Sequence, residues 1–153
     1  MTLRRVNARD LIFEVSDMAT PGPPVWAGIG GMTEAEVDPS ANEETEDTTD
    51  FDSEGNYSQE VMQRGASLKL TGRILMDDVT GVRDPGQVLV NLHATKVGPD
   101  SQVDVRFRYP WETSWSLWTA TVTRGAEGGG TNNKTGLEYT FTRCGAPESA
   151  AVV

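Results

Sequence analysis

Apolar and polar residues alternate in four stretches of the chain, and each stretch predicts a β-strand with one buried face. In the first of them, residues 67–75, Leu68, Leu70 and Ile74 lie on one side and polar residues on the other. The other three stretches are residues 104–110, 116–124 and 137–145. Because neighbouring side chains of a strand point to opposite faces, the polar members of these stretches should share a second surface.

Two short strands and one helix complete the predicted elements. Residues 10–17 and 24–31 combine β-forming residues with polar residues and glycines, which is typical of short strands. Residues 84–98 favour a helix, because Asp84 can cap it, a proline suits its first position and Gly98 can end it. The segment QVLVNL within this range also alternates, so a strand is the competing interpretation.

The combined pattern predicts a mainly β fold, a β-sandwich or partial barrel of about six strands with one flanking α-helix. Val88, Leu89 and Leu92 form a short apolar stripe on that helix. The length of 153 residues suits one domain, residues 1–153. The 16 glycines and 8 prolines agree with a turn-rich β protein, and a glycine-rich connection precedes the last strand.

A long acidic segment, residues 32–63, interrupts the strands and is predicted to be an extended loop. Residues 10–63 contain fourteen acidic residues and no Lys or Arg, although the net charge of the whole chain is only −10. Phe51, Tyr57 and Val61 offer apolar anchors within the segment. A loop of this length in a compact domain is usually functional or disordered. Its charge argues against a DNA-binding module, because it repels phosphate.

Asp50, Asp52 and Glu54 alternate as in a calcium loop, with Gly55 in the sixth position. An EF-hand requires a glutamate in the twelfth position, but Val61 stands there, and neither flank predicts an amphipathic helix. No metal site is therefore expected. A calcium- or carbohydrate-binding β-sandwich module remains the alternative function; it would use these aspartates and a cluster of tryptophans, Trp111, Trp115 and Trp118.

Catalytic chemistry has little support in the sequence. His93, the only histidine, is predicted to be a half-buried or surface residue, and Cys144, the only cysteine, is predicted to follow a strand without a role. No nucleophile elbow, zinc-protease motif or phosphate loop is present. The expectation is therefore a protein without enzymatic activity and without a cofactor. No apolar run is long enough to span a membrane, and no secretory signal is apparent.

The order of several segments resembles the major tail tube proteins of long-tailed bacteriophages and of phage-like particles such as gene transfer agents. The segments are VWAGIGGMTEAEV, TTDFDSEGNYSQEVMQRGASLKLTG, RDPGQ at the helix start, VRFRYP, LWTATVTR and GLEYTFTRCGAP. They extend over residues 12–147, and no single motif among them is diagnostic. A related tube from a secretion or contractile injection system is a further possibility.

The resemblance implies a structural virion protein that partners chiefly with itself. Six copies would form a ring whose inner strands join into one barrel, and stacked rings would form the tail tube. A barrel of about 24 strands would be roughly 48 Å wide, enough for duplex DNA to pass without specific binding. The other implied partners are tail terminator, tape measure and distal tail proteins, with no membrane. Assembly would take place in the cytoplasm of the host bacterium, and the final location would be the phage tail.

The resemblance also implies which residues matter for assembly. Residues 32–63 would form a loop that reaches neighbouring subunits, and its candidate contact residues are Glu43, Glu44, Glu46, Asp47, Asp50, Phe51, Asp52 and Tyr57. A tube lumen should be polar or negative, because a basic wall would bind DNA and stall it. The lumen-lining candidates are Ser67, Thr71, Thr119, Thr121, Glu138, Thr140 and Thr142.

Overall fold

Nine β-strands and one α-helix make up the described part of the chain, residues 1–16 and 23–153 of this computed structural model. The first strands are β1 (Ile12–Ser16), β2 (Trp26–Gly28), β3 (Met32–Asp38), β4 (Glu44–Asp47) and β5 (Gln59–Gln63). They are followed by β6 (Ser67–Arg73), α1 (Pro85–His93), β7 (Gln102–Arg108), β8 (Ser114–Arg124) and β9 (Gly136–Ala151). The end of the first predicted strand, Asp17, lies outside the described residues.

Seven of these strands form one curled antiparallel sheet in the order β2-β1-β7-β8-β9-β6-β3. The remaining two, β4 and β5, form a separate two-stranded sheet. Strands account for 46% of the chain, and the large sheet has the shape of a half-barrel. The predicted fold class, a mainly β partial barrel with one flanking helix, is therefore confirmed.

The core lies between one face of the large sheet and α1. Strand alternation places the apolar side chains of four central strands on this face: Leu68, Leu70, Val103, Val105, Trp118, Ala120, Leu137, Tyr139 and Phe141. Val90 of the helix is fully buried against them, and Leu89 packs at their margin. Each large apolar side chain buried in this way contributes about 1.5–3 kcal/mol, so the sheet and helix hold each other in place.

Helix α1 is fixed to the sheet by polar contacts at its first turn. The carboxylate of Asp84 accepts hydrogen bonds from the backbone N–H groups of Gln87 and Gly30, at 3.3 and 3.1 Å. The fully buried amide of Gln87 donates to the carbonyls of Gly30 and Arg73, at 2.8 and 2.9 Å. A Cβ on Gly86 would lie 2.3 Å from the Gly28 carbonyl oxygen, so only glycine permits this approach.

The helix ends earlier than predicted. It stops at His93 rather than near Gly98, which instead begins a short 3-10 turn with φ of 71°. The prediction of a half-buried or surface histidine is also wrong, because His93 is only 2% exposed. Its Nδ1 atom lies 2.9 Å from the carbonyl oxygen of Asp100, a contact that joins the helix end to the following turn.

Two expectations about strand boundaries are also wrong. Residues 32–63 are not one loop, since β3 pairs with β6 in the large sheet and β4 with β5 in the hairpin. Strand β9 does not end at Gly145 but continues to Ala151, paired with the first residues of β8, so Cys144 lies within a strand. A register shift between β8 and β9 places Gly145 at φ of 77°, a conformation that favours glycine.

The described residues contain no helix that is long and apolar enough to cross a membrane.

Candidate assembly surfaces

The first candidate surface is the acidic hairpin, defined here as residues 43–64. Every residue of β4 and β5 is exposed, so neither strand contributes to the core of this chain. The predicted anchors are exposed as well: Phe51 at the tip is 104% exposed and Tyr57 is 70% exposed. A hairpin of two strands is marginally stable by itself in water, so such exposed aromatic side chains indicate a contact surface.

Contacts between its two ends hold the base of the acidic hairpin together. Arg64 Nη1 lies 3.0 Å from Glu43 Oε2, and the Gln63 side chain donates to the Asn42 carbonyl at 2.7 Å. Gly65 permits close approach, because a Cβ there would lie 2.3 Å from the carbonyl oxygen of Ala41. The hairpin therefore leaves the sheet at a defined point, where β3 ends and β6 begins.

Local hydrogen bonds shape the tip of the hairpin. Asp50 Oδ1 accepts from the Asp52 backbone N–H at 3.0 Å and from the Ser53 hydroxyl at 3.1 Å, which caps a single 3-10 turn. Glu54 follows with φ of 54° and turns the chain back. Backbone and side-chain hydrogen bonds from Thr49 lower the pKa of Asp47 below its ordinary value, so that this carboxylate stays charged.

This geometry gives Asp50 a role in building the turn and does not favour the calcium alternative. Among residues 1–16 and 23–153, no three His, Cys, Asp or Glu side chains are grouped so that they could hold a metal ion. The carboxylates of Glu44, Glu46 and Asp52 are exposed, so the hairpin presents negative charge to solvent from its base to its tip.

The second candidate surface is the polar face of the large sheet, the face opposite the core. The strand register places all seven lumen-lining candidates on it. Ser67 is opposite Thr142, Thr71 is opposite Glu138, and Thr142 is in turn opposite Thr121. Thr119 and Thr140 follow on the same face at intervals of two residues. Sequence alternation thus predicts a real surface, although its position in an assembly is a separate question.

Carboxylates outnumber cations on the polar face within the described residues. The acidic members are Glu14, Glu34, Glu36, Asp38, Asp104, Glu138 and Glu148, and the basic members are Lys69, Arg73, Arg106 and Arg108. Lys69 Nζ lies 3.5 Å from Glu138 Oε1 in the same chain. The positive charge of Lys69 is therefore partly neutralised within its own chain, without a neighbouring subunit.

Asp104 lies near the middle of the polar face and titrates abnormally. Burial raises the pKa of its carboxyl group above the ordinary value. A hydrogen bond from the Thr119 hydroxyl, at 3.1 Å, acts in the opposite direction, and the negative charge of Glu148 raises the pKa further. The face is thus negative at neutral pH and becomes less so as acid protonates this group.

Arg106 closes one end of the polar face by inserting between two tryptophan rings. Its guanidinium lies 4.2 Å from the ring centroid of Trp26 and 4.1 Å from that of Trp115. Nη2 of the same guanidinium lies 2.6 Å from Glu14 Oε2. Cation–π contacts of this kind stabilise the sheet but leave no free aromatic surface for a ligand.

The three tryptophans of the carbohydrate alternative do not converge on one surface. Trp118 is buried in the core and meets Phe107 edge to face at 4.9 Å. Trp115 is buried beneath Arg106, and Trp111 stacks on Tyr109 at 5.0 Å. A sugar-binding platform needs exposed rings side by side, so this arrangement does not favour the alternative.

A third surface, the α1 groove, was not predicted. It is a depression of about 480 Å³ beside the outer side of α1, and its lining residues are Val25, Ala27, Val82, Arg83, Pro85, Val88, Leu89 and Leu92. Val88 and Leu92 are 46% and 47% exposed, so the predicted stripe does not face the core as a unit. Their spacing of four residues was the available signal, but Val25 and Val82 come together with it only in the folded chain.

Comparison with known proteins identifies similar folds and no family. No known protein-family profile and no curated protein matches the chain in sequence. A chain from a structure described as the virion of a native gene transfer agent particle has a TM-score of 0.66 and 17% identity. A chain from a structure described as the tail of an empty gene transfer agent particle, with C6 symmetry, has a TM-score of 0.66 and 20% identity. Each match covers 96% of this chain and 100% of the other.

Proposed function

We propose that this chain is the subunit of a phage-like tail tube, in which six copies form a ring and stacked rings form a conduit for DNA. One observation carries the proposal: the whole chain shares its fold with a chain in a C6-symmetric gene transfer agent tail, with 96% and 100% of the two chains covered. Sharing of a complete fold over full length supports a shared architecture more strongly than a local match would.

The topology of the large sheet supports ring formation. Its two outermost strands, β2 and β3, each pair on one side only within the described residues. Such open edges can accept a strand from another copy, and closure into a ring removes every free edge. β3 carries Glu34, Glu36 and Asp38 along its length, and charges of this kind restrict edge pairing to a partner of matching geometry.

The polar face is the surface that we assign to the lumen. Its threonines and serine offer a polar wall, and its excess of carboxylates would repel the phosphates of passing DNA. The domain would then be residues 1–153 as one unit, with the acidic hairpin projecting from it as the assembly element. Transient passage of DNA without specific binding follows from this electrostatic character.

The proposed role defines the remaining partners and the location. The rings would end at tail terminator and distal tail proteins and would enclose a tape measure protein, with the subunit assembled in the bacterial cytoplasm and retained in the virion. The role requires no catalysis or cofactor. The acidic hairpin and dispersed tryptophans do not favour a calcium- or carbohydrate-binding module as the alternative.

Electron microscopy of the purified protein tests the proposal. Negatively stained samples at increasing protein concentration should show rings or tubes, and averaged end views should show six-fold symmetry. Sedimentation velocity on the same samples should show large species that grow with concentration. A protein that stays monomeric throughout, even with a tail initiator complex present, would refute the proposed function.

A further inference from the structure

The α1 groove and the tip of the acidic hairpin are both incomplete in the isolated chain. The groove presents Val25, Val82, Val88 and Leu92 to solvent beside the outer side of the helix. An apolar depression that is exposed on a soluble protein is a candidate binding site. The one charged side chain in its lining is Arg83, which forms no ion pair within the described residues.

The tip of the hairpin has the complementary composition. Phe51 and Tyr57 are its exposed aromatic side chains. The same segment carries carboxylates with no cationic partner among the described residues, those of Asp47, Asp52 and Glu54. Exposed aromatic rings on a negatively charged segment suit an apolar depression with a positive charge at its side.

Tip and groove do not meet within one chain, because both are exposed at the same time in the same structure. We propose that the tip of the acidic hairpin of one copy docks in the α1 groove of a second copy, with Phe51 against Val88 and Leu92 and with Asp52 facing Arg83. The occupant is therefore a second copy of this chain. The inference rests on the proposed function and assigns the contact through which its subunits join.

The geometry of the hairpin makes a contact between copies possible. Seven residues separate Glu43 at its base from Phe51 at its tip, so the tip can lie up to about 27 Å from the base of the hairpin. The contact uses different surfaces on the two copies, so every copy offers one tip and one groove. Contacts of this head-to-tail kind produce rings or open stacks rather than closed dimers.

Cysteine crosslinking tests the contact directly. In a Cys144→Ser background, Phe51→Cys combined with Val88→Cys should give a ladder of disulfide-linked oligomers on mild oxidation, because each copy provides both halves of the contact. Each single-cysteine variant should give dimers at most. Phe51→Cys combined with Lys134→Cys is the matched control, since Lys134 is exposed but lies in the glycine-rich connection.

Substitution of the groove gives a second readout. Val88→Asp should leave the fold intact, because Val88 is half exposed and an acidic residue is favourable in the first turn of a helix. It should raise the protein concentration needed for assembly by about tenfold or more. Arg83→Glu should raise it by about twofold to fivefold, and adding Asp52→Lys should restore it in the double variant.

The outcomes distinguish the two proposals. If wild-type protein forms rings or tubes but the crosslink is no more frequent than in the control, or Val88→Asp assembles normally, the docking contact is wrong and the proposed function stands. In that case the groove faces solvent or a different protein. If wild-type protein never associates, both proposals fail. A ladder together with rescue by charge exchange supports both.

Discussion

Arg106 shows how one residue can stabilise the polar face of a sheet. It joins four strands, since it projects from β7, pairs with Glu14 on β1 and lies between rings from β2 and β8. Its side chain is 21% exposed, so solvent weakens these contacts only partly. The planar guanidinium suits this position in a way that an ammonium group does not, because it can stack on both rings and keep its ion pair.

Arg106→Ala is expected to lower the free energy of unfolding by about 2 kcal/mol, since it removes both ring contacts and leaves Glu14 without its partner. Arg106→Lys should recover less than half of this loss. Urea unfolding followed by tryptophan fluorescence measures both values. Arg124→Ala is the matched control, because its ion pair with Glu127 spans one surface turn and should be worth only about 0–0.5 kcal/mol. Equal losses at the two arginines would contradict the stabilising role.

Asp104 makes stability depend on pH in an unusual direction. Burial raises the pKa of its carboxyl group above the ordinary value of 3.8, so the folded chain holds the proton more tightly than the unfolded chain does. The stabilising contribution of this group is therefore complete below pH 3.8 and is lost as pH rises through the folded pKa.

Asp104→Asn should remove this dependence while keeping an oxygen that can accept the Thr119 hydrogen bond. The free energy of unfolding of the variant, relative to wild type, should increase as pH rises from about 3 to 7. Urea unfolding at several pH values measures the difference. A difference that is constant with pH, or that falls, would show that Asp104 is not destabilised by its surroundings.

At the level of elements, the large sheet and the acidic hairpin differ in burial, and we expect the sheet to determine folding and the hairpin to determine assembly. The apolar core lies between the sheet and α1, whereas neither strand of the hairpin contains a buried residue. The hairpin is nonetheless ordered by backbone pairing, by the cap of Asp50 and by the Arg64–Glu43 contact at its base. Such an element should influence association far more than stability.

Replacement of residues 45–62 by Asn-Gly tests this separation. Glu44 and Gln63 are paired in the hairpin, so a two-residue turn can join them without strain. The variant should fold, with a free energy of unfolding within about 1 kcal/mol of wild type, because only exposed contacts are lost. It should no longer form rings or tubes.

Circular dichroism and urea unfolding report the fold of this variant, and electron microscopy reports assembly. Normal tubes from the shortened chain would show that the hairpin is not an assembly element. Unfolding of the chain would instead place the hairpin within the cooperative unit of the fold.

The same contrast explains which elements the sequence could predict. The central strands were predictable because alternation is strong wherever one face is buried, as in Leu68, Leu70 and Thr71 of β6. Strand β3 was missed because its glutamates alternate with small residues such as Ala35 rather than with large apolar ones. Its sequence is therefore typical of an acidic loop. The second half of β9 contains Pro147 and small residues, and only its partner β8 makes it a strand.

The candidate surfaces follow the same rule. The polar face was predictable because the alternation within each strand shows which of its residues lie on that face. Strand pairing then places the polar residues of neighbouring strands side by side. The α1 groove was not predictable, because Val25, Val82 and Leu92 come from three separate segments and meet only through tertiary packing. The tip of the hairpin was predicted only in part. Its aromatic residues were identified from the sequence, but they were expected to be apolar anchors and are exposed side chains instead.

At the scale of the whole molecule, charge is divided between surfaces in a way that suits a conduit. The acidic residues concentrate on the hairpin and on the polar face, whereas the α1 groove is apolar with one cation. In the proposed tube, a wall that repels phosphate would let DNA pass, and a groove that attracts an acidic hairpin would hold subunits together. Under this proposal the formal charge of −10 would serve two separate roles.

Adding positive charge to the proposed lumen should convert a passive wall into one that binds DNA. Thr121→Arg with Thr140→Arg places two guanidinium groups on the polar face at half-buried positions on adjacent strands, away from the core. Tubes of this variant should bind duplex DNA at 50 mM salt, and wild-type tubes should not. Each phosphate contact steepens the dependence of log K on log salt by about 0.9, so binding should disappear near 200 mM salt.

Fluorescence anisotropy of short labelled duplexes measures this binding, and the protein must first be shown to assemble. Thr95→Arg combined with Ser101→Arg adds the same charge after the end of α1, at one exposed and one half-buried position away from the polar face, and is the matched control. If the polar face lines the lumen, the lumen variant should bind only duplexes that can enter through the tube ends, whereas the control should bind along the outer wall. DNA bound by the lumen variant should then be protected from nuclease, because a ring wall surrounds it, and DNA bound by the control should be digested. Equal digestion in both variants would place the polar face on the outside of the tube and would reverse the assignment of the lumen.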